Sequence, residues 1–357
     1  MSRFYSQIAG GIAPYVPGEQ PRDRRYIKLN TNECPYPPSP AVRQVLREFD
    51  SADLRLYPDP DALELRSAMA KLYGLDVKQV FAGGGSDEVL GYCFQAFGNP
   101  GDQVCFADIT YGFYKVYADL FSQRYVEIPL DGSFRINVED YLGLDGNLYI
   151  ANPNAPTGIA LSRGEIERIL KANSDRLVVV DEAYADFSVY GTCVPLLGQY
   201  DNLLVVQTFS KSRSLAGMRL GFAFGSPELM EGLERIKYSF NPYNIDRLSM
   251  AVGVASIQDE TYFAETVGRV VTTRIRTTEQ LERLGMNVLP SSANFLFASL
   301  PGVEGSSLYT GLRERGVLVR HFDKGRIADF VRITVGTDAE MDRLVECLEE
   351  IKQNKGK

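Results

Sequence analysis

Leu177-Val-Val-Val-Asp181-Glu-Ala-Tyr184 and, further along, Leu203-Leu-Val-Val-Gln-Thr-Phe-Ser-Lys211-Ser-Arg-Ser-Leu-Ala-Gly-Met-Arg219 are built alike. Each is a short apolar run that stops at polar residues. A run that is apolar without alternation reads as a strand buried on both faces, as in a parallel sheet covered by helices. Ligands of open α/β sheets bind beyond the carboxyl ends of the strands, so Asp181 and Lys211 are expected to converge. Outward from these runs the text alternates. Helical patterns fall at 61–72, 86–97, 164–172 and 228–237, and β-rich runs at 103–106, 147–151, 177–181, 203–207 and 219–224. That alternation predicts an α/β domain with a largely parallel sheet. A long helix at 260–284 precedes the runs Asn294 to Ser299, Gly316 to Arg320 and Phe330 to Val335, and a helix at 338–352 follows them. They predict a smaller α+β unit, with its boundary near 258–262. Residues 1–30 are irregular, with Pro14, Pro17 and Pro21 breaking any helix.

Length and composition narrow the function. At 357 residues the chain is long for one core, so two domains are expected. A net charge of −8 with no long basic run gives nucleic-acid binding no electrostatic support. No apolar stretch approaches a membrane span, and the first residues lack the apolar core of a signal peptide. Five scattered cysteines read as reduced thiols of a cytoplasmic protein rather than a disulfide framework. The single histidine, His321, excludes a zinc site with two histidines and sits at no evident nucleophile turn. A general base is therefore sought elsewhere, and a lysine of lowered pKa is the obvious substitute.

Lys211, Asp181, Tyr184 and Arg219 form a specific set. They offer an amine for a carbonyl, a carboxylate for a ring nitrogen, a phenol for a ring oxygen and a cation for a phosphate. Pyridoxal phosphate carries all four partner groups. Asp181 alone would more simply be a loop anchor; the lysine and arginine context overrides that reading. Thr208 and Ser210 add hydroxyls for the phosphate, and the arginine fork suits phosphate geometry. Gly83-Gly-Gly-Ser86-Asp87-Glu88 follows a β-rich run and opens a helix. A capped helix after a tight turn explains it equally well, but beside this cofactor it becomes a phosphate cradle with Ser86 and Asp87. Tyr111 could stack on the ring, although with 20 tyrosines packing is the ordinary role. Arg332 lies inside a β-run and is read as the anion partner of the substrate. Arg320 either serves the same pocket or is a surface charge.

The chain resembles the histidinol-phosphate aminotransferases, within the fold type I pyridoxal-phosphate enzymes. The likeness runs from Pro14-Tyr15-Val-Pro-Gly18 through Leu29-Asn-Thr-Asn-Glu33, Tyr57-Pro-Asp59 and Gly85-Ser-Asp-Glu88. It continues through Asn152-Pro-Asn-Ala-Pro-Thr-Gly158 and the lysine and aspartate blocks to Arg332-Ile-Thr-Val-Gly336. It implies an α/β fold with a large domain on a mostly parallel seven-stranded sheet and a smaller α+β domain. The expected division is an N-terminal arm at 1–30 that forms part of the small domain, a large domain at 31–258 and a small domain at 259–357. The resemblance assigns Lys211 as the Schiff-base lysine, Asp181 to the ring nitrogen, Tyr184 to the ring oxygen and Tyr111 to stacking. Ser86, Asp87, Ser210 and Arg219 go to the phosphate, and Tyr15 and Arg332 to substrate. Tyr57 would reach the cofactor of a neighbouring subunit, so a homodimer with shared sites is implied. The implied reaction moves the amino group of L-histidinol phosphate to 2-oxoglutarate. Aromatic amino acids are an alternative donor, and threonine-phosphate decarboxylases, which are lyases, look very similar. One departure stands out: the family asparagine that bonds the ring oxygen is Ala155 in this chain. Tyr184 alone, Asn154 or a water is expected to fill that role, with a perturbed Schiff-base pKa.

Overall fold

A computed structural model describes residues 2–355. The chain starts with helix α1 (Gln7–Gly11), strand β1 (Ile27–Lys28), α2 (Pro40–Glu48), α3 (Leu63–Tyr73), β2 (Val80–Gly83) and α4 (Ser86–Phe97). β3 (Gln103–Ala107), α5 (Phe113–Leu120), β4 (Arg124–Ile128), β5 (Asn147–Ala151), α6 (Arg163–Ala172), β6 (Val178–Asp181), β7 (Leu203–Thr208) and β8 (Gly221–Phe224) follow. Next come α7 (Pro227–Phe240), α8 (Arg247–Gln258), α9 (Glu260–Arg283), β9 (Asn287–Val288) and β10 (Phe295–Ser299). The chain ends with α10 (Gly305–Glu314), β11 (Val317–Leu318), β12 (Arg320–His321), β13 (Phe330–Thr334) and α11 (Asp338–Lys355). Among the described residues no helix is long and apolar enough to cross a membrane.

β2 to β8 form one seven-stranded sheet in the order β2-β8-β7-β6-β5-β3-β4. Its strands are parallel from β4 to β7, and β8 runs antiparallel to both neighbours. β7 and β8 are joined by residues 209–220, which hold no α-helix to carry a crossover, and the chain turns back so that β8 runs beside β7 in the opposite direction. That loop carries Lys211 and Arg219. The strand read from 219 starts two residues later, because Arg219 adopts a left-handed conformation with φ 50°. Side chains alternate across the sheet. Val178, Val180, Leu203 and Val205 pack into the core on one face. Val179, Leu204 and Val206 pack into the core on the other.

The C-terminal unit is built on the antiparallel sheet β12-β13-β10-β9. The single strand expected from Gly316 to Arg320 is two. Val317 and Leu318 pair in parallel with β1, whereas Arg320 and His321 pair with β13. The chain switches sheets at the buried Val319, and this turns Arg320 to face Arg332. We propose the domain division expected above. In its support, Leu29 from the N-terminal arm packs in one core with Leu281, Leu296, Ile333 and Leu344, and α8 ends at Gln258 where α9 begins at Glu260.

Candidate active site

The cleft lies at the carboxyl ends of β5, β6 and β7, as the strand-end rule requires. Its empty volume is about 560 Å³, lined among others by Ser86, Tyr111, Ala155, Asp181, Tyr184, Lys211 and Arg219. Register places Ala151 beside Asp181 and Asp181 beside Val206, so β5 and β6 end level and β7 runs two residues further, to Thr208.

One end of the cleft is an anion cradle. Gly85 precedes α4 with φ 96° and frees the first N–H groups of that helix. A side chain at Gly221 would place its Cβ 2.3 Å from the Gly85 carbonyl carbon, so the two loops can close this tightly only with glycine. The Arg219 guanidinium donates to Ser210 Oγ at 3.2 Å and to Asp87 Oδ2 at 3.2 Å. Thr208 Oγ1 accepts from the Ser210 backbone N–H at 3.1 Å and contacts Ser210 Oγ at 3.0 Å. The Asp87 carboxylate also accepts from the Tyr111 hydroxyl at 2.6 Å. A carboxylate repels a phosphate, so Asp87 serves the cradle by fixing Arg219 and Tyr111, and only its backbone N–H can face the anion. Glu88 braces the same glycine loop: its Oε2 accepts from Gly84 N and from Asn244 Nδ2, both at 2.5 Å.

The middle of the cleft is the buried Asp181. Its Oδ2 accepts from the Tyr114 hydroxyl at 3.0 Å and its Oδ1 from Ala183 N at 3.1 Å. Burial pushes its pKa up to about 6, against the pull of those two donors. At the other end, Lys211 Nζ donates to Thr31 O at 3.3 Å and lies 5.9 Å from the Tyr184 ring centre. Burial, then the nearby Arg332, lowers the Lys211 pKa to about 8. An amine so shifted is readily neutral and nucleophilic. The Tyr184 phenol is raised by burial, with Arg332 and the Asn32 amide pulling it back.

Beyond Lys211, Arg332 and Arg320 stand directly opposite each other on β13 and β12. Opposed residues share a face, and like charges there are unfavourable without an anion between them. Arg332 Nη2 donates to Asn30 O at 3.2 Å, while its buried Nε has no protein partner among the described residues. Arg320 donates to Val16 O at 3.1 Å and Pro17 O at 3.4 Å, tying down the N-terminal arm. Tyr15 on that arm stacks on Phe113 with ring centres 4.3 Å apart.

Not every expected residue reaches the cleft. Asn154 is a correction. Its amide nitrogen donates to Ile109 O at 2.9 Å and Thr157 Oγ1 at 3.1 Å, and its oxygen accepts from Thr110 Oγ1 at 2.7 Å. The carboxamide is spent on bracing the loop and cannot also bond a ring oxygen. Tyr57 is 78% exposed and stacks on Tyr243 at 4.6 Å, outside the cleft of its own chain. His321 contacts Ala328 O at 2.8 Å, away from the cleft lining. Sequence reasoning missed Tyr114, Thr31 and Asn32. Tyr114 lies in the first turn of α5 just after Tyr111, and the two rings meet edge to face with centres 5.7 Å apart.

The donor set fits pyridoxal phosphate group by group: a cradle for phosphate, a buried carboxylate for a ring nitrogen, a phenol for a ring oxygen, and an amine of lowered pKa for the aldehyde. Residues 24–348 match the family model of aminotransferase class I and II. A histidinol-phosphate aminotransferase of Brachyspira hyodysenteriae is 50% identical over 354 residues, 99% of this chain and 100% of that protein. The chain belongs to the class I and II aminotransferases, and within them to the histidinol-phosphate aminotransferase family. The fold agrees. A histidinol-phosphate aminotransferase of Sinorhizobium meliloti, solved with pyridoxal-5'-phosphate, superposes with a TM-score of 0.90 at 24% identity, covering 99% of each chain. An L-threonine-O-3-phosphate decarboxylase of Porphyromonas gingivalis shares the fold at a TM-score of 0.80 and 22% identity, covering 92% of this chain and 99% of that one. The architecture is thus that of fold type I.

Proposed function

We propose that this chain transfers the amino group of L-histidinol phosphate to 2-oxoglutarate, giving imidazole acetol phosphate and glutamate in histidine biosynthesis. The observation that carries it is the buried Lys211 amine set between a phosphate cradle and the opposed Arg320 and Arg332. When bound, pyridoxal phosphate supplies an aldehyde for amines and a ring that holds the electron pair released at the substrate α-carbon. Arg219, Ser210 and the start of α4 bind its phosphate. Asp181 keeps the ring-nitrogen proton in place, and the Tyr184 hydroxyl donates to the ring oxygen. Lys211 Nζ removes the proton from the α-carbon of the amine. Arg332, with Arg320 once it releases the arm, receives the phosphate of one substrate and a carboxylate of the other. Tyr15, stacked on Phe113, contacts substrate at that end.

A single turnover without oxo acid tests the substrate. L-Histidinol phosphate, L-phenylalanine and L-threonine phosphate are offered separately to cofactor-loaded protein, and the visible absorbance of the cofactor is followed. Rapid loss with histidinol phosphate alone is expected. Equal loss with phenylalanine would make the chain an aromatic aminotransferase. Carbon dioxide released from threonine phosphate with the absorbance retained would make it a lyase.

The working form in this reading is a homodimer with shared sites, in a reducing cytoplasm where the free cysteines are stable. Leu54, Leu56, Tyr57, Phe240 and Tyr243 are all exposed, on two segments joined by the Tyr57–Tyr243 stack. Exposed apolar surface of this kind marks an association face. Mixing checks it. Tyr57→Ala and Lys211→Met proteins, each nearly inactive, are expected to regain activity when their subunits exchange. One site of each mixed dimer then has both native residues. Activity no higher than the sum of the parents refutes sharing.

A further inference from the structure

Asn32 is buried, carries φ 56° and belongs to no helix or strand. Its carboxamide is nonetheless fully oriented. The Thr334 hydroxyl accepts from Asn32 N at 2.9 Å, so its one proton goes to Asn32 Oδ1 at 3.1 Å. That fixes the oxygen end. The amide end then faces Tyr184, and Nδ2 donates to the phenol oxygen at 2.9 Å. Asn294 Nδ2 holds the Asn32 carbonyl at 3.0 Å and locks the backbone. A phenol oxygen that accepts on one side must send its own proton elsewhere. Among the described residues the Tyr184 hydroxyl donates to no protein acceptor, and Tyr184 lines the cleft. Ala155, which shares the cleft lining and an apolar cluster with Tyr184, offers only a methyl group.

We propose that Asn32 is a positioning residue for the reaction: it donates to Tyr184 and so aims the Tyr184 proton at the ring oxygen of the bound cofactor, in a site where residue 155 supplies no second donor. The proposal rests on the cofactor reading above. Besides Asn32, the charged groups acting on Tyr184 are Lys211, Asp181, Asp87 and Arg332. None of them can replace the Asn32 bond, because none is hydrogen-bonded to the phenol. The consequence is electrostatic. A donor on the ring oxygen draws off negative charge, and the proton that the Lys211 nitrogen shares with that oxygen then leaves at lower pH.

The test is a double-mutant cycle on the holoenzyme, read by the pH midpoint of its visible absorbance. Glycine suits a positive φ, so Asn32→Gly is the variant that disturbs the backbone least. The midpoint is expected to rise by about half a unit to one unit, the scale of one hydrogen bond. In a Tyr184→Phe background the same substitution should move it by much less. Equal shifts in both backgrounds, or none in either, overturn the proposal. If Asn32→Gly lowers the melting temperature of the cofactor-free protein, Asn32→Asp is used in the same cycle. Its carboxylate fills the same space but takes the Tyr184 proton, so the midpoint must rise more with Tyr184 present than with phenylalanine. A wild-type protein with no visible band after loading with pyridoxal phosphate would instead defeat the cofactor reading.

Discussion

Lys211→Met is expected to lower turnover by about 10⁴-fold or more while making the cofactor-free protein more stable at neutral pH. The loss follows from the two roles of one nitrogen, nucleophile and proton carrier, neither of which methionine can fill. The gain follows from the shift of its pKa. Lysine in the unfolded chain titrates near 10.5, and Lys211 in the folded protein near 8. Between those values the unfolded state holds the proton and the folded state does not, so stability rises with pH there. Below about 8 both states hold it, and the folded protein bears the full cost of a desolvated ammonium beside Arg332. Methionine fills similar space without charge. The stability gap between variant and wild type should therefore be widest below pH 8 and shrink as pH approaches 10.5. Thermal melts of both cofactor-free proteins at pH 7 and pH 10 measure it. A variant with wild-type turnover would refute the assignment of Lys211, and a gap that does not change with pH would refute the buried-charge argument.

The placement of that lysine was legible because chemistry and topology coincide along the chain. The unalternating apolar run Leu203 to Val206 marks a strand buried on both faces, so the polar residues after it must emerge at the binding edge. The same logic located Asp181 and the start of α4. Bonds made between distant segments were not legible. Asn154 and Asn32 are both asparagines in motif blocks, yet one carboxamide is used up by Ile109, Thr110 and Thr157, while the other reaches Tyr184 across 152 positions of chain. Composition and spacing cannot tell these apart, since the difference lies in which partners the fold brings within 3 Å. The strand read at Gly316–Arg320 failed for a related reason. Its apolar run is continuous, but two different sheets each take part of it.

Asp181→Asn is expected to reduce kcat by about 10²- to 10⁴-fold, the range of an acid or base held at a reacting system. The substitution is isosteric and leaves Tyr114 and Ala183 within bonding distance, so the loss measures charge rather than shape. Without a carboxylate the ring nitrogen loses the partner that keeps it protonated, and the ring becomes a poorer electron acceptor. Stability should move the other way in the cofactor-free protein. Burial raises the Asp181 pKa from 3.8 to about 6, so between these values the folded state holds a proton that the unfolded state has lost. Stability from this group is present below 3.8 and is lost as pH rises through about 6, an effect of about 3 kcal/mol. The asparagine variant escapes that loss. It should melt at a higher temperature than wild type above pH 6 and close to it near pH 4, provided cofactor is absent. With pyridoxal phosphate bound, a cationic ring nitrogen beside the carboxylate offsets the burial cost, and the order of melting temperatures should reverse. If the variant is less stable than wild type without cofactor at pH 8, Asp181 is a structural anchor and its role at the ring nitrogen fails. If the order reverses on loading, burial in the empty site is what pushes both Asp181 and Lys211 towards neutrality, and cofactor binding is what relieves it.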